Sequence, residues 1–148
     1  MAQARERADV AVLSEIARID QQVRNALERV LPAGLSAAQF AVLGHLAAAG
    51  ETRSPGALAT ALSVTKGAMT NTLARLQAQG LVHIAADPAD GRRKWVSATP
   101  RGLEADRLCL AAARPAREAL RRALPVESFE AALPFLRALR AFLERRES

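Results

Sequence analysis

The chain has 148 residues, enough for one domain with a real core but too few for a catalytic domain beside a regulatory one. Hydrophobic residues make up 50% of it, many of them alanine, and charges interrupt every apolar run before the length of a bilayer span, so no membrane helix is expected. The net charge of +6 is uneven: residues 36–102 hold seven cations and three anions, residues 1–35 hold five of each, and residues 103–148 hold nine cations and seven anions, so the basic excess suits either a phosphate-bearing partner or a merely solvated surface.

The opening stretch, Met1 to Asp9, is charged and mixed in sign with no apolar region behind it. It does not read as a secretory signal, and a cytoplasmic location is expected. Over residues 7–31, Val10, Leu13, Ile16, Val23, Leu27 and Val30 recur at helical spacings, which predicts a helix with one apolar seam. Arg18, Asp20 and Arg24 lie off that seam, so the helix is built to pack on other protein. Leu31-Pro32-Ala33-Gly34 ends it. Ser36 and Gln39 then form a capping box, Leu35 is placed to staple against Phe40, and a second helix should run to about Ala49 before Gly50 stops it. Glu51-Thr52-Arg53 is a short link able to form a single strand at a sheet edge.

Ser54 caps a third helix with Pro55 at its first position, where the missing amide proton costs nothing. It ends near Leu62, and Ser63-Val64 turns into a fourth helix capped by Thr65, giving a helix-turn-helix. Met69, Leu73 and Leu76 share one face of the fourth helix, while Gly67, Thr70, Asn71, Ala74 and Arg75 lie around the other side. Gly80 is its left-handed stop, followed by Leu81 within reach of Leu76.

Leu81–Ala85 and Trp95–Thr99 are strand-like arms joined by Asp-Pro and Asp-Gly turn chemistry. Between them Asp87 and Asp90 stand beside Arg92, Arg93 and Lys94, which makes the basic tip of a β-hairpin. A hairpin directly after a helix-turn-helix reads as the wing of a DNA-binding winged helix. Thr99 and Pro100 open a fifth helix with a small-residue stripe of Ala105, Cys109, Ala112, Ala116, Ala119 and Ala123, and Pro115 is expected to kink it. A last helix from about Val126 to Arg146 carries Phe129, Leu133, Leu136, Leu139 and Leu143, with Pro134 as a second expected kink or break. The fold expected is mainly α with a small β-wing.

The capped helix, the Ser-Pro start, the Thr-Lys-Gly-Ala-Met-Thr helix ending in Leu-Gln-Ala-Gln-Gly-Leu-Val, and Asp-Pro-Ala-Asp-Gly-Arg-Arg-Lys with Val-Ser-Ala-Thr-Pro-Arg-Gly together resemble the MarR family of bacterial transcription regulators. The likeness is close over residues 36–102, and the order of flanking helices fits the rest. It implies a single domain over residues 1–148, a winged helix-turn-helix (36–102) flanked by dimerisation helices (1–35 and 103–148). It further implies a homodimer that reads a palindromic operator in double-stranded DNA, often a repressor released by a small phenolic or lipophilic ligand or by cysteine oxidation. The family's recognition-helix signature falls on Thr65, Lys66, Gly67, Thr70, Asn71 and Arg75, and its wing Asp-x-Arg on Asp90 and Arg92. In the family that arginine enters the minor groove while the aspartate holds its side chain; here Arg93 and Lys94 follow directly, and Arg93 is an alternative inserting residue. The peroxide-sensing branch keeps a cysteine near the N-terminus, which this chain lacks.

The chemistry of these residues agrees with that reading. A helix N-terminus offers free amides and partial positive charge, so Thr65, Lys66 and Gly67 suit a phosphate or a base edge. Lys66 and Asn71 fit base contacts, Arg75 a phosphate, and the weakly hydrated guanidinium of Arg92 a narrow minor groove. The plainer reading makes Thr65 a cap only, Arg75 a solvated cation and the hairpin a solvated turn. Trp95 is expected to pack under the wing. Cys109 reads as a small buried apolar side chain, and one cysteine with His45 and His83 supplies neither a disulfide within the chain nor a metal site; no cofactor is expected. His45 is a weak candidate for lining a ligand cavity and otherwise a core histidine, while His83 should point outward.

An enzyme lacks its parts in this sequence: no paired carboxylates in a pocket context, no Ser/His/Asp set, no metal spacing and no glycine-rich phosphate loop. The alternative is a winged helix used for protein interaction or RNA binding without operator specificity. An aromatic content of 3%, with no tyrosine, argues against stacking on single strands.

Overall fold

Caps and apolar periodicity act at the expected places to give, among the described residues, six helices and one two-stranded sheet. The computed structural model describes residues 7–146, so most of the charged opening stretch lies outside the described residues. Helix α1 spans Ala8–Val30 and buries none of its residues; Ile16 and Leu27 of its seam are half-buried, and Val10, Leu13, Val23 and Val30 are exposed. Helix α2 (Ala37–Ala49) starts on the full capping box, Ser36 Oγ accepting from the Gln39 N–H at 3.2 Å and Gln39 Oε1 from the Ser36 N–H at 2.9 Å. Helix α3 (Pro55–Ala61) begins with Ser54 Oγ accepting from the Ala57 N–H, and α4 (Lys66–Ala78) with Thr65 Oγ1 accepting from the Ala68 N–H.

The turn between α3 and α4 places Ser63 at φ +52°, a left-handed position without a glycine. The Val64 N–H bonds the Ala59 carbonyl there at 3.0 Å. At its other end α4 closes as a Schellman motif: the Leu81 N–H donates to the Leu76 carbonyl and the Gly80 N–H to the Gln77 carbonyl, with Gly80 at φ +70°.

Strands β1 (Val82–Ala86) and β2 (Lys94–Ala98) pair antiparallel, Ala85 opposite Trp95 and Val82 opposite Ala98. Each arm is displaced by one residue from the expected range, because Leu81 is taken by the helix stop and Thr99 by the next helix start. Arg53 adds the expected edge contact as an isolated bridge to Val96, with N–H to carbonyl bonds of 2.9 and 2.8 Å. The core gathers Val42, Leu43 and Leu46 from α2, Leu58 from α3, Met69, Leu73 and Leu76 from α4, then Leu81, Val82, Val96 and Ala105.

Helix α5 (Pro100–Ala123) is tied to the end of α4 at its first turn. Thr99 Oγ1 accepts from the Gly102 N–H at 3.0 Å and donates to the Gly80 carbonyl at 2.7 Å. Its buried row is Gly102, Ala105, Asp106, Cys109 and Ala113, rather than the whole alanine stripe, of which Ala112 is half-buried and Ala116, Ala119 and Ala123 are exposed. Helix α6 (Val126–Arg146) buries none of its residues. Helix α5 runs on through Pro115 and α6 through Pro134, so neither proline breaks its helix. The chain divides at Ala113/Arg114 into two compact units, and α5 contributes to both.

Candidate nucleic-acid interface

The outer face of α4 follows from its inner one. Burying Met69, Leu73 and Leu76 leaves Lys66, Gly67, Thr70, Asn71 and Arg75 exposed. Thr70 Oγ1 donates back to the Lys66 carbonyl at 2.9 Å, which holds its methyl and oxygen on that face. A Cβ on Gly67 would meet nothing within 4 Å, so the glycine keeps the first turn of α4 low and open.

The wing is built by its aspartates. Asp87 Oδ1 accepts from the Ala89 N–H at 2.8 Å and Asp87 Oδ2 from Trp95 Nε1 at 3.1 Å. These bonds, led by that from Ala89, hold the Asp87 carboxyl below the usual carboxylate range. Asp90 Oδ1 accepts from the Arg92 backbone N–H at 3.0 Å, while the Asp90 carbonyl accepts from the Arg93 N–H. Asp90 therefore shapes the turn that carries Arg92 and, among the described residues, forms no ion pair with its guanidinium. Arg92, Arg93 and Lys94 are all exposed, and Trp95 next to them is half-buried.

Wing and α4 face one another. A cleft of about 610 Å³ is lined by Lys66 and Thr70 from α4, by Arg92, Arg93, Lys94 and Trp95, and by Ser54, Pro55 and Gly56 at the start of α3. Among the described residues, none of its four cations is in a salt bridge, and Arg93 interacts electrostatically with Asp87. Sequence reading missed the share of α3, since Ser-Pro registers only as a cap. Asn71 and Arg75 lie on the same helix outside this cleft, and Arg75 instead lines a second depression with Gly34, Ser36, Gln39 and Gln79. His45 is half-buried on α2 and lines neither depression, and His83 is exposed.

Two buried groups lie elsewhere. Cys109 is fully buried, and burial together with the nearby Asp106 charge pushes its thiol pKa up, the reverse of what a redox-reactive thiolate needs. Asp106 itself is 7% exposed, its Oδ1 has no hydrogen-bond partner, and desolvation raises its pKa. Among the described residues there is no cluster of three metal-binding side chains and no helix long and apolar enough to cross a membrane.

The MarR family model matches residues 33–93, which contain the helix-turn-helix and most of the wing. No curated protein sequence matches the chain. Among solved structures, a cysteine-to-serine mutant of E. coli MarR complexed with operator DNA is 25% identical, with a TM-score of 0.77 over 90% of this chain and 96% of that one. Bordetella bronchiseptica BpsR, solved in a study of how 6-hydroxynicotinic acid regulates its DNA binding, is 26% identical, with a TM-score of 0.73 over 86% and 97%. BldR from Sulfolobus solfataricus, a transcriptional regulator, is 28% identical with a TM-score of 0.72 over 94% and 96%. Residues 33–93, most of the winged helix, thus match the MarR family model, and the helix order is similar to that of these solved MarR-family transcription regulators, which are not enzymes.

Proposed function

We propose that the chain acts in the cytoplasm as a homodimer that binds a palindromic DNA operator through α4 and the wing, and that it represses transcription until a small molecule releases it. The observation that carries the DNA reading is the cleft in which Lys66 and Thr70 meet the cations Arg92, Arg93 and Lys94. Thr65, Lys66 and Gly67 sit at the amide-rich start of α4 and offer donors to a phosphate or base edge. Lys66, Thr70 and Asn71 read bases, Arg75 takes a phosphate, and Arg92, with Arg93 as its alternative, enters the minor groove. Asp90 serves this by setting the turn through its bond to the Arg92 amide. The exposed apolar residues of α1 and α6 support the homodimer, since a lone chain would leave them in water. Operator binding by E. coli MarR and control of BpsR by a small aromatic acid support the repressor and effector parts.

Selection of bound genomic fragments should return a palindrome whose half-sites lie about 34 to 36 Å apart. Inserting about five base pairs at its centre should abolish specific binding. Arg92→Ala should weaken binding by about 1–3 kcal/mol and make its salt dependence shallower by about one unit, with the preference among major-groove bases retained. Wild-type-like titration of Arg92→Ala at two salt concentrations would leave the wing as plain solvated structure and sink the assignment.

A further inference from the structure

A chain of three hydrogen bonds, one local and two between segments far apart in the sequence, runs through two glutamines. The Ser36 N–H donates to Gln39 Oε1 at 2.9 Å, Gln39 Nε2 donates to Gln79 Oε1 at 2.6 Å, and Gln79 Nε2 donates to the Gly34 carbonyl at 2.7 Å. Both ends are backbone groups, one able only to donate and the other only to accept, so the amide orientation of both glutamines is fixed. A carboxylate at position 79 would set oxygen against the Gly34 carbonyl oxygen. Gln39 is 3% exposed, so its amide carries the full desolvation cost if the link is cut. Gly34 takes part as a glycine: at φ +84° its missing Cβ would lie 3.4 Å from Gln79 Nε2.

The anchored segments belong to different working parts. Gln79 caps the C-terminus of α4, its N–H bonded to the Arg75 carbonyl one turn back. Gly34 and Ser36 form the turn by which α1 enters α2. We propose that Gln79, held by Gln39, is a positioning residue that fixes the angle of the recognition helix against the exit of α1, and thereby the half-site spacing the homodimer accepts. This rests on the homodimeric operator reading above. Each added base pair displaces a half-site by about 3.4 Å and turns it by about 35°. A winged helix tied to α1 rejects that displacement, whereas one free to pivot on its α5 connection follows it. The apolar core of the winged helix contains neither glutamine, so the module survives the loss of the tie.

Gln79→Met keeps the side-chain length and removes both of its hydrogen bonds. Gln79→Ala, at the same half-buried helix end, removes them without risk of repacking. Wild-type and variant homodimers are titrated against the selected palindrome, against the palindrome with one base pair inserted at its centre, and against DNA with one half-site scrambled. Both variants should bind the scrambled DNA as the wild type does, while the intact-to-inserted affinity ratio falls by about tenfold, a mid-range coupling for hydrogen-bonded residues. Variants whose affinities drop in parallel on all three DNAs, or that keep the wild-type ratio, overturn the inference. A wild type indifferent to the insertion overturns the rigid two-fold reading, and this inference with it.

Discussion

Asp106 is a carboxylate placed where a carboxylate is costly. Its Oδ1 has no partner, and α2 approaches so closely that a Cβ on Gly44 would lie 3.4 Å from it. Desolvation raises its folded pKa above the unfolded value, so the folded chain holds the proton more tightly and stability falls as pH rises through the interval between the two. Above the folded value the cost is fully present. Asp106→Asn removes the charge, so its melting temperature should exceed that of the wild type at neutral pH, with the difference vanishing near about pH 4, where the unfolded carboxyl takes up its proton. Melts that shift equally at both pH values would show that Asp106 is not a source of strain. The same reasoning keeps Cys109 inert, since its thiolate would form in an apolar setting beside a negative neighbour.

Among the elements, the junction of α4, β1 and α5 leaves no room for a side chain at Gly102. Thr99 caps α5 while bonding the Gly80 carbonyl, and a Cβ on Gly102 would fall 1.9 Å from the Leu81 carbonyl oxygen. Gly102→Ala must therefore push α5 off the end of the recognition helix. It should destabilise the chain by about 1–3 kcal/mol or more in urea titration, the range for an overpacked core. An unchanged midpoint would mean that the junction is loose. The helix starts were legible in sequence because a cap is a bond across three residues: Ser36, Ser54, Thr65 and Gly80 all act as their neighbours imply. Ser63 was not, because tertiary packing of α3 on α4 imposes its left-handed turn on a residue with no local preference for it. The Gln39–Gln79 bond, the share of α3 in the cleft and the orphaned Asp106 oxygen were hidden for the same reason, each depending on residues that only the fold brings together. Asp90 was half legible: its turn chemistry was evident, but its bond goes to the Arg92 amide and not to the guanidinium.

For the molecule as a whole, the distribution of apolar surface is the governing fact. Val10, Leu13 and Val23 on α1, and Phe129, Leu133, Phe135 and Phe142 on α6, are exposed in the single chain. Isologous pairing through a two-fold axis buries such faces at the lowest sequence cost, because each patch meets its own copy or a partner patch twice. The proposed homodimer should sediment with no stable monomer at micromolar concentration. Leu133→Arg and Phe142→Arg together should produce monomers that retain the winged helix but bind the palindrome at least about tenfold more weakly, since the second half-site no longer contributes. A folded wild-type monomer with full operator affinity would end the dimeric reading.

Trp95 is the chain's one tryptophan, and there is no tyrosine. Its indole N–H bonds Asp87 at the root of the wing, and the residue lines the cleft together with Arg92 and Lys66. The protein thus carries an intrinsic fluorophore at the place where DNA is proposed to dock, with no competing emission from elsewhere. Its spectrum should move when the operator closes over the cleft. It should also move as acid protonates Asp87, below the ordinary carboxylate range, because the acceptor charge on the indole bond is then lost. The wing's engagement can therefore be followed optically in the unlabelled chain, on the timescale of binding itself.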